Sequence, residues 1–215
     1  PVIIIAVMSW GWMIGEAVRS RQFSCCPLHP PRTQDFWAWL LMIGAMMLPA
    51  TTGAVRDVAA RSYRRRRWRA VTEYLLGYSA CWIGVGGLFA LVRTLAWAHD
   101  LRIAAALCFL SACAAFIPAR ALWFAHCHRQ IPLAPVGIRA DIDAFRQGLV
   151  QSVPCVKMCW MPMVACAITG HDLGLMAGGA AMALSERRQF RFNRRLVVLG
   201  SAGLGAWVIA RMLVT

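Results

Sequence analysis

YLLGYSACWIGVGGLFALV, residues 74–92, runs for 19 residues without a single charge. At 1.5 Å per residue, about 20 mainly apolar residues cross the hydrocarbon core of a bilayer, so this stretch reads as a membrane-spanning helix. Comparable runs lie on either side of it. The expected spans are 1–18, 36–55, 74–96, 102–123, 147–169, 172–185 and 196–214, which makes the chain an all-α, polytopic transmembrane bundle of about seven helices in one domain. The sixth is short and reaches full length only by extending past Glu186. The first opens at Pro1, with no basic stretch before it and no A-x-A site after it, so a removable signal peptide is unsupported.

Composition agrees with this reading. Of the 215 residues, 60% are hydrophobic and 15% charged, with mean hydropathy +0.56. A water-soluble domain of this length needs more polar surface than that. The net charge is +14, and every basic residue except Lys157 is an arginine. Such a balance can signal nucleic-acid binding, but here the arginines sit in short blocks between apolar runs. That distribution fits topogenic signals and anionic lipid headgroups, and no nucleic-acid partner is expected.

The blocks also orient the chain. With the N-terminus cytoplasmic, the connections carrying Arg56, Arg61, Arg64–Arg67 and Arg69, then Arg120, Arg129, Arg139 and Arg146, then Arg187, Arg188, Arg191, Arg194 and Arg195 all fall inside. Only Arg19, Arg21, Arg32, Arg93, Arg102 and Arg211 fall outside. Seven spans with the N-terminus inside a bacterial inner membrane therefore satisfy the positive-inside rule, and the inverted arrangement violates it. Gly174 and Gly178, with Gly200, Gly203 and Gly205 in the last span and Gly84, Gly86 and Gly87 in the third, mark expected close helix contacts. No internal repeat points to an inverted-repeat transporter.

Candidate chemistry centres on span five, which contains PCVKMCWMPMVAC, residues 154–166. Cys155 and Cys159 are four residues apart and share a helix face, which Met163 and Cys166 continue. Pro154 and Pro162 each remove a backbone donor, so carbonyls inside this helix are expected to be freed for another partner. Thiolate and thioether ligands suit copper(I) best, with zinc and iron–sulfur as thiolate alternatives. Met42 and Met46 in span two and Met176 and Met182 in span six could supply further soft ligands from facing helices. Core packing explains each of these residues as well, since Cys and Met are ordinary in apolar helices.

Lys157 stands apart, about ten residues into span five with no acid at comparable depth. A cation there costs roughly 2.5–3.5 kcal/mol on insertion scales and is expected to face the interior, a cavity or an anionic partner, where it would disfavour a metal beside Cys155. His126, Cys127 and His128 are consecutive, diverge on a helix and read as an interfacial cap rather than one metal site. Cys25 and Cys26 beside His29 form a vicinal pair whose mutual disulfide would be strained. His171 and Asp172 form a short outer turn. No P-loop, G-x-S-x-G, H-E-x-x-H or dinucleotide fingerprint occurs, so no enzyme is expected.

Four stretches carry a resemblance: WLLMIGAMMLP (Trp39–Pro49), EYLLGYSACW (Glu73–Trp82), CVKMCWMPM (Cys155–Met163) and GLMAGGAAMALSER (Gly174–Arg187). Together they resemble the DUF2182 family of predicted metal-binding bacterial membrane proteins, over roughly residues 36 to 190. The family's Cys-rich C-V-G-C-C-W-like element and its short span closing on Glu match Cys155, Cys159, Trp160, Gly174, Met176 and Glu186. Lys157 stands where that pattern has Gly, and Met158 where it has another Cys. The resemblance implies soft-metal handling, with Cys155, Cys159, Met163, Met42, Met46 and Met176 as candidate ligands and copper as the candidate metal. The two departures favour an alternative, a non-catalytic or anchoring subunit of a larger respiratory, photosynthetic or monooxygenase-like membrane complex. An ion or small-molecule transporter using Lys157 is the third reading.

Overall fold

The computed structural model describes residues 2–22, 33–92, 100–189 and 192–214, and every regular element among them is helical. In chain order these are α1 (Val2–Gln22), α2 (Thr33–Met42), a π-helical turn (Ile43–Met47), α3 (Leu48–Ala50), α4 (Thr52–Arg61), α5 (Arg67–Val92), α6 (Leu101–Ala114), α7 (Pro118–Cys127), α8 (Ile138–Ile168), α9 (Leu173–Arg188) and α10 (Arg194–Val214). Cys25, Cys26 and His29 lie outside the described residues.

Among the described residues, four helices, α1, α5, α8 and α10, are long and apolar enough to cross a membrane. The number rises to six if each of two bent pairs is one span. The sixth expected segment, 172–185, is a helix, α9, but its 16 residues fall short of a bilayer's thickness. Ile4, Val7, Leu88, Leu91, Leu199 and Leu213 stand exposed along the outward faces of the long helices. An aliphatic outer surface of this kind is compatible with lipid.

Both bent pairs depart from the straight spans expected at 36–55 and 102–123. The first bends by 67° at Thr51, just after the buried π-turn and Pro49. Pro49 has no N–H to give the carbonyl of Ala45, and Trp10 Nε1 on α1 donates to that carbonyl at 3.1 Å. The second pair, α6 and α7, bends by 91°. Its cause is Pro118 at the start of α7, which holds Ile117 in extended backbone and ends the preceding helix.

The core is built on α5 against α8. Tyr74, Tyr78 and Trp82 recur every four residues on α5 and are fully buried. The two backbones touch at two glycines: a Cβ on Gly77 would lie 2.1 Å from the Phe145 carbonyl oxygen, and one on Gly148 would lie 2.2 Å from that of Tyr74. Tyr74 Oη donates to Gln151 Oε1 at 2.7 Å, and the amide nitrogens of Gln147 and Gln151 both donate to the Arg129 carbonyl. This network pins the segment after α7 onto α8. At the other side of α9, Gly174 and Gly178 admit Trp207 and Leu204 of α10, while Gly200 admits Met182. The glycine contacts expected of α9 and α10 are thus present, whereas Gly84, Gly87 and Gly203 face open space.

Candidate metal centre

Helix α8 places Cys155 and Cys159 one turn apart on its buried face, close enough for the two thiols to interact. Tyr78 Oη lies 3.1 Å from Cys155 Sγ, brought there by the close approach of α5 at Gly148. The pair lines a cavity of about 20 Å³, room for roughly one water or one ion. Cys127 at the end of α7 and Met158 on α8 line it too, with Cys127 Sγ 4.0 Å from Met158 Sδ. Three thiols and one thioether from two helices therefore border one small space.

Charged groups close the cavity from α9. Glu186 and Arg187 line it, and Arg187 Nη1 donates to the Cys127 carbonyl at 2.8 Å. Arg187 and Cys155 thus border the same small space. Behind them lies Arg120 of α7, only 2% exposed. It donates to the carbonyls of Ser111 (3.1 Å) and Met158 (3.4 Å) and stands 4.0 Å from Glu186 Oε1. Pro162 has no N–H for the Met158 carbonyl four residues before it, so Arg120 occupies the acceptor that proline leaves open. Three buried atoms in this cluster lack a hydrogen-bond partner: Arg120 Nε, Glu186 Oε1 and Arg187 Nη2.

This arrangement revises several expectations. Lys157 does not face the interior. It is two positions from Cys155, hence about 200° around the helix, and it stands exposed on the far face with its Nζ 5.7 Å from the Trp123 ring centroid. Its charge is therefore no obstacle to a cation at Cys155. Arg120, grouped above with the cytoplasmic loop residues, is a core residue, because the bend at Pro118 folds it back under α8. Glu186, singled out by the resemblance, is a buried acid at the cavity.

Cys155 and Cys159 come together as their spacing predicts. Met42, Met46, Met163 and Met176 are all buried in the same core, yet none of them lines the cavity. Met46 instead packs its methyl against Gly179 of α9. Of the consecutive His126, Cys127 and His128, the two imidazoles bond back to the carbonyls of Leu122 and Phe124, and Cys127 alone turns inward. Cys127, Arg120 and Arg187 are the site residues that sequence reasoning missed. Among the described residues, no three His, Cys, Asp or Glu side chains gather as a metal-binding group.

The fold and site thus define a helical protein with a buried thiol pair at a small cavity. Residues 36–211 match the PpoB2 family, described as copper chaperones, and the chain belongs to that family. No curated protein and no solved structure matches it.

Proposed function

We propose that this protein is a multi-pass inner-membrane copper chaperone that carries copper(I) on Cys155 and Cys159. The observation that carries the proposal is the pair itself: two thiols one helical turn apart at a single ion-sized cavity, in a chain of a copper chaperone family. The donor set fits the cargo. Sulfur ligands favour copper(I), and Met158 keeps a soft donor at the position where the resembled family pattern has a cysteine. Zinc prefers four ligands in a tetrahedron, a set that the described residues do not gather. Copper(I) is stable with two or three sulfurs. A low coordination number also suits a carrier, because an acceptor's thiolate can attack the bound ion before the first ligands leave.

Seven spans with the N-terminus inside remain the topology that the arginine distribution favours. In it α9 is a short span, and Ala50, Cys127 and Glu186 lie toward the arginine-rich, cytoplasmic end of the bundle. Copper would then load or leave from that side.

The test is metal analysis of protein purified from native membranes, with Cys155→Ser and Cys159→Ser beside it. About one copper per chain is expected in the wild type, lost in both variants. Copper retained at full stoichiometry in both would refute the assignment. Reporter fusions after residues 66 and 98 would place the two loops on opposite sides.

A further inference from the structure

We infer that Arg187 is the counter-charge for a copper(I) bis-thiolate at Cys155 and Cys159, and that it makes the site favour a monovalent soft cation over a divalent one; this rests on the reading of that pair as the copper site.

The argument is one of charge in a small buried space. When copper(I) binds, two Cu–S bonds form and each sulfur that still carries a proton gives it up to solvent. The copper stays monovalent and no electron moves. The complex carries one negative charge, which is costly to bury without a partner. Arg120 and Glu186 stand 4.0 Å apart and balance each other. Lys157 lies on the opposite face of α8. The remaining charge at the cavity is Arg187, which lines it together with Cys155 and keeps Nη2 buried without a hydrogen-bond partner. Its other terminal nitrogen is fixed on the Cys127 carbonyl at 2.8 Å, so the guanidinium is already held in place before an ion arrives. A buried cationic donor with an unused N–H is arranged for an anion, and the bis-thiolate is the anion this cavity can form.

A divalent ion reverses the balance. Two thiolates neutralise zinc(II) or cadmium(II) entirely, which leaves Arg187 as an uncompensated buried cation. A third thiolate would restore neutrality, but Cys127 Sγ is directed at Met158 Sδ and no three-ligand group is gathered among the described residues. Discrimination by net charge therefore adds to the preference of sulfur for copper.

The test uses the full chain in detergent. Copper(I) affinity is read by competition with bathocuproine disulfonate, and cadmium(II) affinity by its thiolate charge-transfer absorbance. The variants are Arg187→Gln, which retains an amide donor for the Cys127 carbonyl, Arg187→Lys, which retains the charge, and Cys155→Ser. Arg187→Gln should weaken copper(I) by about tenfold or more, the scale of one lost hydrogen bond to a charged group, with cadmium(II) unchanged or tighter. Arg187→Lys should restore most of the copper(I) affinity. A merely structural defect would weaken both ions together. An unchanged copper-to-cadmium ratio in Arg187→Gln, with copper still lost in Cys155→Ser, would overturn the role of Arg187 and leave the copper site standing. Full copper binding by Cys155→Ser would overturn the site itself.

Discussion

Two groups of sulfur atoms share this bundle and do different things. Met42, Met46, Met163 and Met176 are at most 1% exposed and lie in tight packing, with Met46 pressed onto a glycine. Cys155, Cys159, Cys127 and Met158 are nearly as buried, yet they border a cavity and face charged groups. Burial therefore does not separate the two groups, and neither does helical spacing, since Met163 shares the face of Cys159. What separates them is unfilled space together with polar atoms left without partners. The first group gains dispersion contacts by filling its surroundings. The second borders unfilled space.

The largest effect that could break this contrast is in the thiols. Cys155→Ser should abolish stoichiometric copper, whereas Met163→Leu, about two turns along the same face, should bind copper like wild type. Because that exchange conserves volume, its stability cost should stay below about 1.5 kcal/mol. Copper lost from Met163→Leu, with the melting temperature unchanged, would move Met163 from packing to ligation.

Next in size is Gly148→Val. Its Cβ would collide with the Tyr74 carbonyl at 2.2 Å, and backbone atoms cannot yield as a side chain can. Overpacking of this kind costs about 1–3 kcal/mol or more. It should also displace Tyr78 from Cys155, so thermal stability and copper affinity fall together. A variant with lowered stability and unaltered affinity would show that the α5 contact supports the fold alone. Tyr78→Phe is gentler. It removes a hydroxyl 3.1 Å from Cys155 Sγ, worth about 1 kcal/mol, so copper(I) affinity should change by roughly fivefold with little effect on melting.

The bundle was legible because charge-free runs such as residues 74–92 have few alternatives, and the Cys155/Cys159 pair because four residues bring side chains onto one face. The bends were less so. Pro118 was a usable signal, since the residue before a proline avoids helical backbone, but a continuous apolar run across it reads as one span. That choice also hid Arg120, which sits near the end of the run and looks like a loop residue. The expectation that prolines in α8 would free carbonyls was sound: Met158 offers one, but its partner comes from a helix whose direction depends on the bend. Cys127 was hidden by its histidine neighbours, although the 100° step that separates the three is the reason it reaches the cavity alone. Gly77 and Gly148 carry no mark in sequence of the tight crossing they permit, because a close approach depends on which helices meet.

Lys157 gives the smallest expected effect and the sharpest check on the contrast. Its depth in α8 made it the principal objection to a cation at Cys155, and only its azimuth removes that objection. On the outward face its alkyl stem can run along the helix and carry the ammonium toward the nearer interface, with the Trp123 ring offering a cation–π contact at 5.7 Å. An exposed contact of that type contributes about 0.5–1 kcal/mol, which offsets only part of the cost of holding a charge at this depth. Lys157→Met should therefore leave copper(I) affinity within about twofold of wild type, while the melting temperature stays level or rises. A clear gain in copper affinity in Lys157→Met would mean that the lysine's field reaches the thiols after all. In that case net charge around the whole helix, rather than the one guanidinium inside the cavity, would set what the site accepts.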